Sequence, residues 1–335
     1  VDPGGGRAGL HPAGRRRKSA ADRRAQRVRA EARTAQRLLR GLRDLGAHRG
    51  IAPILLGKAL SDTLMGMALV REEGCPAAVV LHSGERREAD LIIGADGVHS
   101  VVRPALNGAS APFFTGNAAW RAVVPNVWGR QSDVQVHMGP RRHLVSYPLM
   151  GGKMLNLVAV EEQRDWLEES WTLGDEPANL RAAFTDFAPV VQEMLGAVEE
   201  VRLWGLFRHE VAPRWHGQGL ALLGDAAHPT LPFLAQGAVM ALEDAWAMGV
   251  ALDDVGSLEQ GLGDYQLWRR DRAARVIKTA TGNAWKYHLG FGPLRFAAHT
   301  ALRLGGALAP RRMLGQFDWL YGYDITQDRP PERAR

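Results

Sequence analysis

Two apolar runs in this sequence end on an acid at a glycine. In "DLIIGADGVHSVVRPAL" the acid is Asp96, and in "LALLGDAAHPTLPFLAQGAVMALEDAWAMGVAL" it is Asp225. A carboxylate at the C-terminal end of a buried strand lies on the rim where open α/β sheets bind ligands. Beyond Gly224 and Asp225 the chain crosses Pro229 and Pro232, reaches Gln236 and Gly237, and enters a pattern with Val239, Leu242, Trp246 and Val250 on one predicted helix face. That spacing predicts a helix packed on a core by this face. Its first turn would aim unpaired N–H groups and the positive end of the helix dipole at the rim that holds Asp225. Such a unit offers an anion site beside a hydroxyl-binding carboxylate, as a ligand with phosphates and a polyol requires. An ordinary strand-loop-helix crossover capped by Asp225 is the other reading of this unit alone. Its recurrence at Asp96 and Gly97, followed by Arg103, favours a cofactor crevice.

A second chemistry is written in "HLVSYPL". On a strand, His143 and Tyr147 would share a face. A histidine near its ordinary pKa could take a proton from a ligand held there, with Tyr147 as hydrogen-bond partner. Alternatively, His143 lies exposed beside Arg141 and Arg142 and Tyr147 is plain core. Gln236 either faces a ligand or caps the helix. His228 reads as a loop-ordering residue and Trp120 as core, with Arg121 beside the pocket. The 11 histidines form no HxxxH or HExxH pattern with acids, so no metal is assigned.

The elements that must position these groups follow from texture. The chain has 335 residues, 46% of them hydrophobic, which suffices for a sizeable core. Its single cysteine, Cys75, excludes an internal disulfide and fits a reducing, cytoplasmic setting. No run of about 18 apolar residues predicts a membrane span. Residues 1–50 hold 14 Lys/Arg against 4 Asp/Glu, leaving 28 basic and 32 acidic residues to the rest, so the net charge of +6 comes from this one segment. No aromatic residue precedes position 113, so the stacking groups of a nucleic-acid surface are missing there.

From residue 51, "IAPILLGKALSD" and "MGMALVREE" read as short strands. Residues 77–81 and 89–93 read as a hairpin turned at "HSGERRE", and "DLIIGAD" as a strand buried on both faces. Closely spaced β-like runs over 118–160 predict an antiparallel sheet inserted into the α/β frame. Residues 178–196 read as helical, "VRLWGLFRHEV" as a return strand, and the tail as two amphipathic helices. The expected architecture is α/β (α+β). A basic low-complexity segment spans 1–50, and cofactor-crevice parts of the α/β frame span 51–110 and 206–255. A substrate-binding sheet spans 111–205 and a helical region 256–335.

With these residues in view, "GADGVHSVVR" resembles the Asp-Gly motif, and "GDAAHPTLPFLAQGA" the Gly-Asp motif, of class A flavin-dependent aromatic hydroxylases, above all the salicylate and 3-hydroxybenzoate hydroxylase group. "WRAVVP", "HLVSYPL" and the terminal "DWLYGYD" are similar too, so the resemblance spans 51–324 in order. It implies a Rossmann-like layered fold and FAD as cofactor. NADH or NADPH and O2 would be co-substrates, and a small aromatic acid would be hydroxylated; a homodimer is compatible with it. It places Asp225, with Gly224, on the ribityl chain, Pro232, Gly237 and Ala238 near the flavin ring or pyrophosphate, and Asp96, Gly97 and Arg103 at the crevice where FAD meets the nicotinamide. His143, Tyr147 and Gln236 would act on the substrate. The pattern breaks near the start. Gly4, Gly6 and Gly9 spell GxGxxG, but no strand precedes them, and Pro12 and a basic run occupy the helix position. The first βαβ unit is therefore expected to be absent or replaced, with FAD held poorly or not at all. A non-catalytic remnant of the family and a ubiquinone-pathway hydroxylase of the same fold are the alternatives.

Overall fold

A computed structural model of the protein describes residues 53–57, 68–70, 77–80, 85–130, 133–164, 174–253 and 256–328. The 1–50 segment, with Gly4, Gly6, Gly9 and Pro12, lies outside the described residues, as does Cys75.

Strands β1 (Pro53–Gly57), β5 (Leu91–Ala95), β13 (Leu220–Leu222) and β12 (His216–Gly217) form one sheet in the order β1-β5-β13-β12. β5 runs parallel to both β1 and β13 and is buried over Leu91–Gly94, as an uninterrupted apolar run requires of a strand covered on both faces. Beside it lies a three-stranded antiparallel sheet of β2 (Ala68–Val70), β3 (Ala77–Val80) and β4 (Arg86–Ala89). The expected hairpin is thereby corrected. β3 pairs with Arg86–Ala89, of which Arg86–Glu88 fall in the expected turn, and the chain then switches at Asp90 into the parallel sheet. Exposed charges on β4, with Arg87 paired to Glu85 at 2.8 Å, suit an edge strand that must not recruit another.

The inserted unit is a six-stranded antiparallel sheet in the order β10-β11-β6-β9-β8-β7. Its strands are β6 (Phe113–Pro125), β7 (Gln135–Gly139), β8 (Arg142–Leu149), β9 (Met154–Glu162), β10 (Gly174–Asp175) and β11 (Val201–Arg208). Trp120, Ala122, Leu144, Leu157 and Ala159 share one face and pack on α2 (Pro177–Ala183) and α3 (Pro189–Gly196) through Leu180, Phe184, Val191 and Met194. The stretch expected to be helical over 178–196 forms two helices, with Pro189 opening the second. Trp120 also donates its indole N–H to Asp175 at 2.6 Å. The opposite face carries Ala119, Val158, Val160 and Trp204 and meets Leu231 and Phe233 of the loop after β13. The sheet therefore has a structural face and a face turned toward the motif loops.

After α1 (Arg103–Asn107), the large helices come late in the chain. They are α4 (Gly237–Asp253), α5 (Leu258–Tyr287) and α6 (Gly292–Leu308), followed by the short α7 (Pro310–Gly315) and α8 (Asp318–Tyr321). Ser257 caps α5 by accepting from the Gln260 N–H. Among the described residues no helix is long and apolar enough to cross a membrane.

α4 does not pack by the expected face. Val239, Leu242 and Val250 are exposed, and Trp246 is only half buried. The buried face is Met240, Glu243, Asp244, Ala247, Met248 and Ala251. Two acids turn inward because their partners are there. Arg269 of α5 donates to Asp244 at 2.8 Å and to Glu243 at 2.7 Å, Arg272 holds Glu243 at 2.9 Å, and His228 meets Asp244 at 2.5 Å. Buried charges persist when paired and hydrogen-bonded.

Candidate active site

β5 and β13 are adjacent and parallel, with Leu222 opposite Gly94, so the acids that follow them emerge at the same sheet edge. The Leu223 N–H donates to Gly94 O at 2.9 Å, holding the two strand ends together. Asp96 is buried. Its Oδ2 accepts from the Val101 N–H at 2.8 Å, and Oδ1 has no partner. Gly97 follows in the left-handed region at φ +79°, with open space where a Cβ would be. Asp225 lies in a 3-10 turn, Gly224–Ala226, and is exposed at the rim. Dense protein around it still raises its pKa, a push that His228 partly offsets.

Gly224, at φ +63°, lets this turn leave the strand: an added Cβ would stand 3.0 Å from Cβ of Ala241. Its N–H donates to Asp244 at 3.0 Å. His228, fully buried, completes the anchor through the same carboxylate, in the loop-ordering role expected of it. Arg103 was expected at the crevice as a cofactor contact, and its side chain is engaged elsewhere. Buried beneath the rim, its guanidinium donates to the carbonyls of Ala226, Ala227 and Glu210 at 3.0, 3.2 and 2.7 Å. It joins the Asp96 segment to the Asp225 turn and so sets their spacing.

Pro232 opens a second 3-10 turn, Pro232–Leu234, and Ala235 adopts φ +52°. Gln236 is buried, its carbonyl accepting from the Met240 N–H at 2.8 Å and its side-chain oxygen unpartnered. Gly237 and Ala238 then begin α4. Pro232, Ala238 and Asp225 are exposed along one loop and helix start, with Gly237 half exposed between them. A Cβ on Gly237 would lie 3.3 Å from Thr230 and 4.0 Å from the Asp225 carboxylate, so its backbone sits close against that acid.

Across from this rim lies the second face of the six-stranded sheet. His143 stands opposite Val160, and Tyr147 opposite Asn156. His143 is fully buried, with its ring 5.3 Å from Phe233 and 5.2 Å from Tyr287. His143 thus lies against the Pro232–Leu234 turn. Two expectations change. Four residues along a strand span about 13 Å, so Tyr147 shares the face but cannot bond His143. The partner is His288, at 2.6 Å, held in turn by Glu162 at 3.0 Å. Nor is His143 near its ordinary pKa: burial, and then His288, push it down to about 3. Nothing in the sequence pointed to His288, 145 residues away at the end of α5. Arg121 and Asn156 complete the face, joined at 3.1 Å, with the Asn156 amide N–H otherwise buried and unpartnered.

Residues 67–280 match the family described as FAD binding domain. The chain belongs to this family. It is 38% identical to 3-amino-4-hydroxybenzoate 2-monooxygenase of Streptomyces cremeus over 253 residues, 73% of this chain and 62% of that protein. It is 34% identical to 6-hydroxynicotinate 3-monooxygenase of Pseudomonas fluorescens over 263 residues, 73% of this chain and 67% of that one. A solved salicylate hydroxylase substrate complex superposes with a TM-score of 0.68 at 23% identity, covering 80% of this chain and 72% of that one. The fold is that of the FAD-dependent aromatic hydroxylases, as the motifs implied. The chain spans about 62% of the length of the first relative named.

The rim suits the cofactor of this family. The exposed Asp225 carboxylate, the unpartnered Oδ1 of Asp96 and the open start of α4 offer acceptors for hydroxyls and donors for an anion.

Proposed function

We propose that this chain carries out FAD-dependent hydroxylation of a small aromatic acid bearing a phenolic hydroxyl, with NADH or NADPH and O2 as co-substrates. The observation that carries the reading is His143, buried on an apolar sheet face directly against the turn that leads into the Gln236–Gly237 motif. The relatives support the substrate class, since their names specify ring systems with a hydroxyl and a carboxylate. Asp225 would hold the ribityl hydroxyls, Gly237 and Ala238 would offer backbone N–H groups, and Asp96 and Gly97 would line the far side. Bound FAD would supply hydride acceptance and the transfer of one oxygen atom.

This chain's own residues would do the rest. Val158, Val160, Leu231 and Phe233 exclude water from the ring. Neutral His143 accepts the phenol proton at Nε2, raising electron density on the carbons to be attacked. Arg121 stands two strands across and two residues along from His143, on the order of 12 Å between Cα positions, which leaves the span of one substituted ring. Its cation would hold the substrate carboxylate.

The test is His143→Gln in the FAD-loaded protein. Hydroxylation should fall by about 100-fold or more, the usual contribution of a general base, while reduction of the flavin by the nicotinamide proceeds at its former rate. Unchanged hydroxylation would remove His143 from the mechanism.

A further inference from the structure

The Glu162 carboxylate is held from two sides. Arg141 meets Oε2 at 3.1 Å, and His288 Nδ1 meets Oε1 at 3.0 Å. A carboxylate can only accept, so the His288 proton sits on Nδ1. His288 Nε2 is then a lone pair, and the 2.6 Å contact to His143 Nδ1 requires His143 to donate. His143 Nε2 is consequently left deprotonated, and it is the ring atom that is buried without a partner. At the other end, Glu162 and His288 line a cavity of about 500 Å³ shared with Arg141, Arg208, Trp285 and Leu231. Three side chains, from β8, the end of α5 and the end of β9, thus connect a buried, unprotonated ring nitrogen to a solvent-reaching cavity.

We propose that Glu162, His288 and His143 form a proton relay, which presents His143 Nε2 as the base and delivers the proton it takes to the cavity beside Glu162. The relay rests on a phenolic substrate meeting His143, as inferred above. The phenol O–H bond breaks and His143 Nε2–H forms. The His143 Nδ1 proton passes to His288 Nε2, and the His288 Nδ1 proton passes to Glu162 Oε1, from which water in the cavity removes it. No other reactant is needed.

The surroundings explain why a relay is required. Burial and the neighbouring His288 hold the His143 pKa down at about 3, so a proton cannot rest on that ring. Burial also lowers His288, while Glu162 raises it. The groups facing the pair are Glu162 with Arg141 on its far oxygen, the Tyr287 phenol, and the apolar ring of Phe233. Glu162 is therefore the terminal acceptor, a positioning residue that touches the substrate only through two histidines.

Two measurements test this. In the full chain labelled with 15N-histidine, with His143→Gln and His288→Gln used to assign the signals, both rings should be Nδ1–H tautomers at neutral pH. His143 carrying its proton on Nε2 would overturn the proposal without any turnover being required. In the FAD-loaded enzyme, Glu162→Gln keeps an acceptor for His288 but cannot take the proton. Hydroxylation should drop by about tenfold or more and become dependent on pH, with flavin reduction unaltered; equal rates across the pH range would contradict the relay. Should the unsubstituted enzyme hydroxylate no phenolic acid, the proposed function fails, while the tautomer still decides whether the relay exists.

Discussion

In the proposed reaction, Arg121 and His143 would divide the recognition of one ring between a cation and a base. Arg121 is exposed on the sheet face, and its Nε donates to Asn156 Oδ1, which fixes the guanidinium on the side occupied by Val158. Hydrogen bonds to charged groups contribute about 1.5–3 kcal/mol, so Arg121→Gln should raise KM for a carboxylate-bearing phenol about tenfold or more. A neutral phenol should be indifferent to the change. Equal losses for both ligands, measured side by side, would remove Arg121 from substrate recognition. At this scale the alternation of "HLVSYPL" made the shared face of His143 and Tyr147 legible. It could not reveal His288, because that contact joins a strand to a helix end 145 residues later. The length of four strand residues, by contrast, already excluded a His143–Tyr147 bond.

The element that holds the site together is α4, with the turn before it. Asp244 ties α4 to Gly224, His228 and Arg269 at once, so the carboxylate anchoring the Asp225 turn also anchors the helix to α5. Replacing it with Asn leaves Arg269 without its full counter-charge in a buried setting, a change that typically costs about 3–5 kcal/mol. Urea unfolding of Asp244→Asn should show that loss; stability within 1 kcal/mol or so of the parent would mean the network is dispensable. His228 and Arg269, together with their hydrogen bonds, outweigh the opposing effect of burial and hold the Asp244 pKa down at about 2. A depressed carboxyl stabilises the fold above its unfolded pKa near 3.8, and that contribution is lost as pH falls from there toward 2. The helix itself was legible from its period, but its buried face was not. Hydrophobicity chose Val239, Leu242 and Val250, whereas the packing chose Glu243 and Asp244 because α5 supplies two arginines that no local pattern announces.

For the molecule as a whole, the two acid-tipped strand ends were readable because β5 and β13 are apolar without interruption and each is followed by glycine and an acid. Their adjacency, Leu222 beside Gly94, is what brings the two motifs to one sheet edge. The layered frame and the inserted antiparallel sheet were likewise readable from strand spacing. The switch of the chain at Asp90 was not, since a charged edge strand carries the composition of a turn. The GxGxxG of Gly4, Gly6 and Gly9, and the expectation of weak FAD binding drawn from it, fall outside the described residues. The sheet edge that carries Asp96 and Asp225 is therefore the part of the proposed cofactor site on which the account stands. Its most direct test is titration of FAD into the purified chain, followed by quenching of flavin fluorescence and repeated with Asp225→Ala. The account predicts saturable binding of one FAD per chain and a Kd raised about tenfold or more by the substitution. No saturable binding, or the same Kd for both proteins, would contradict it.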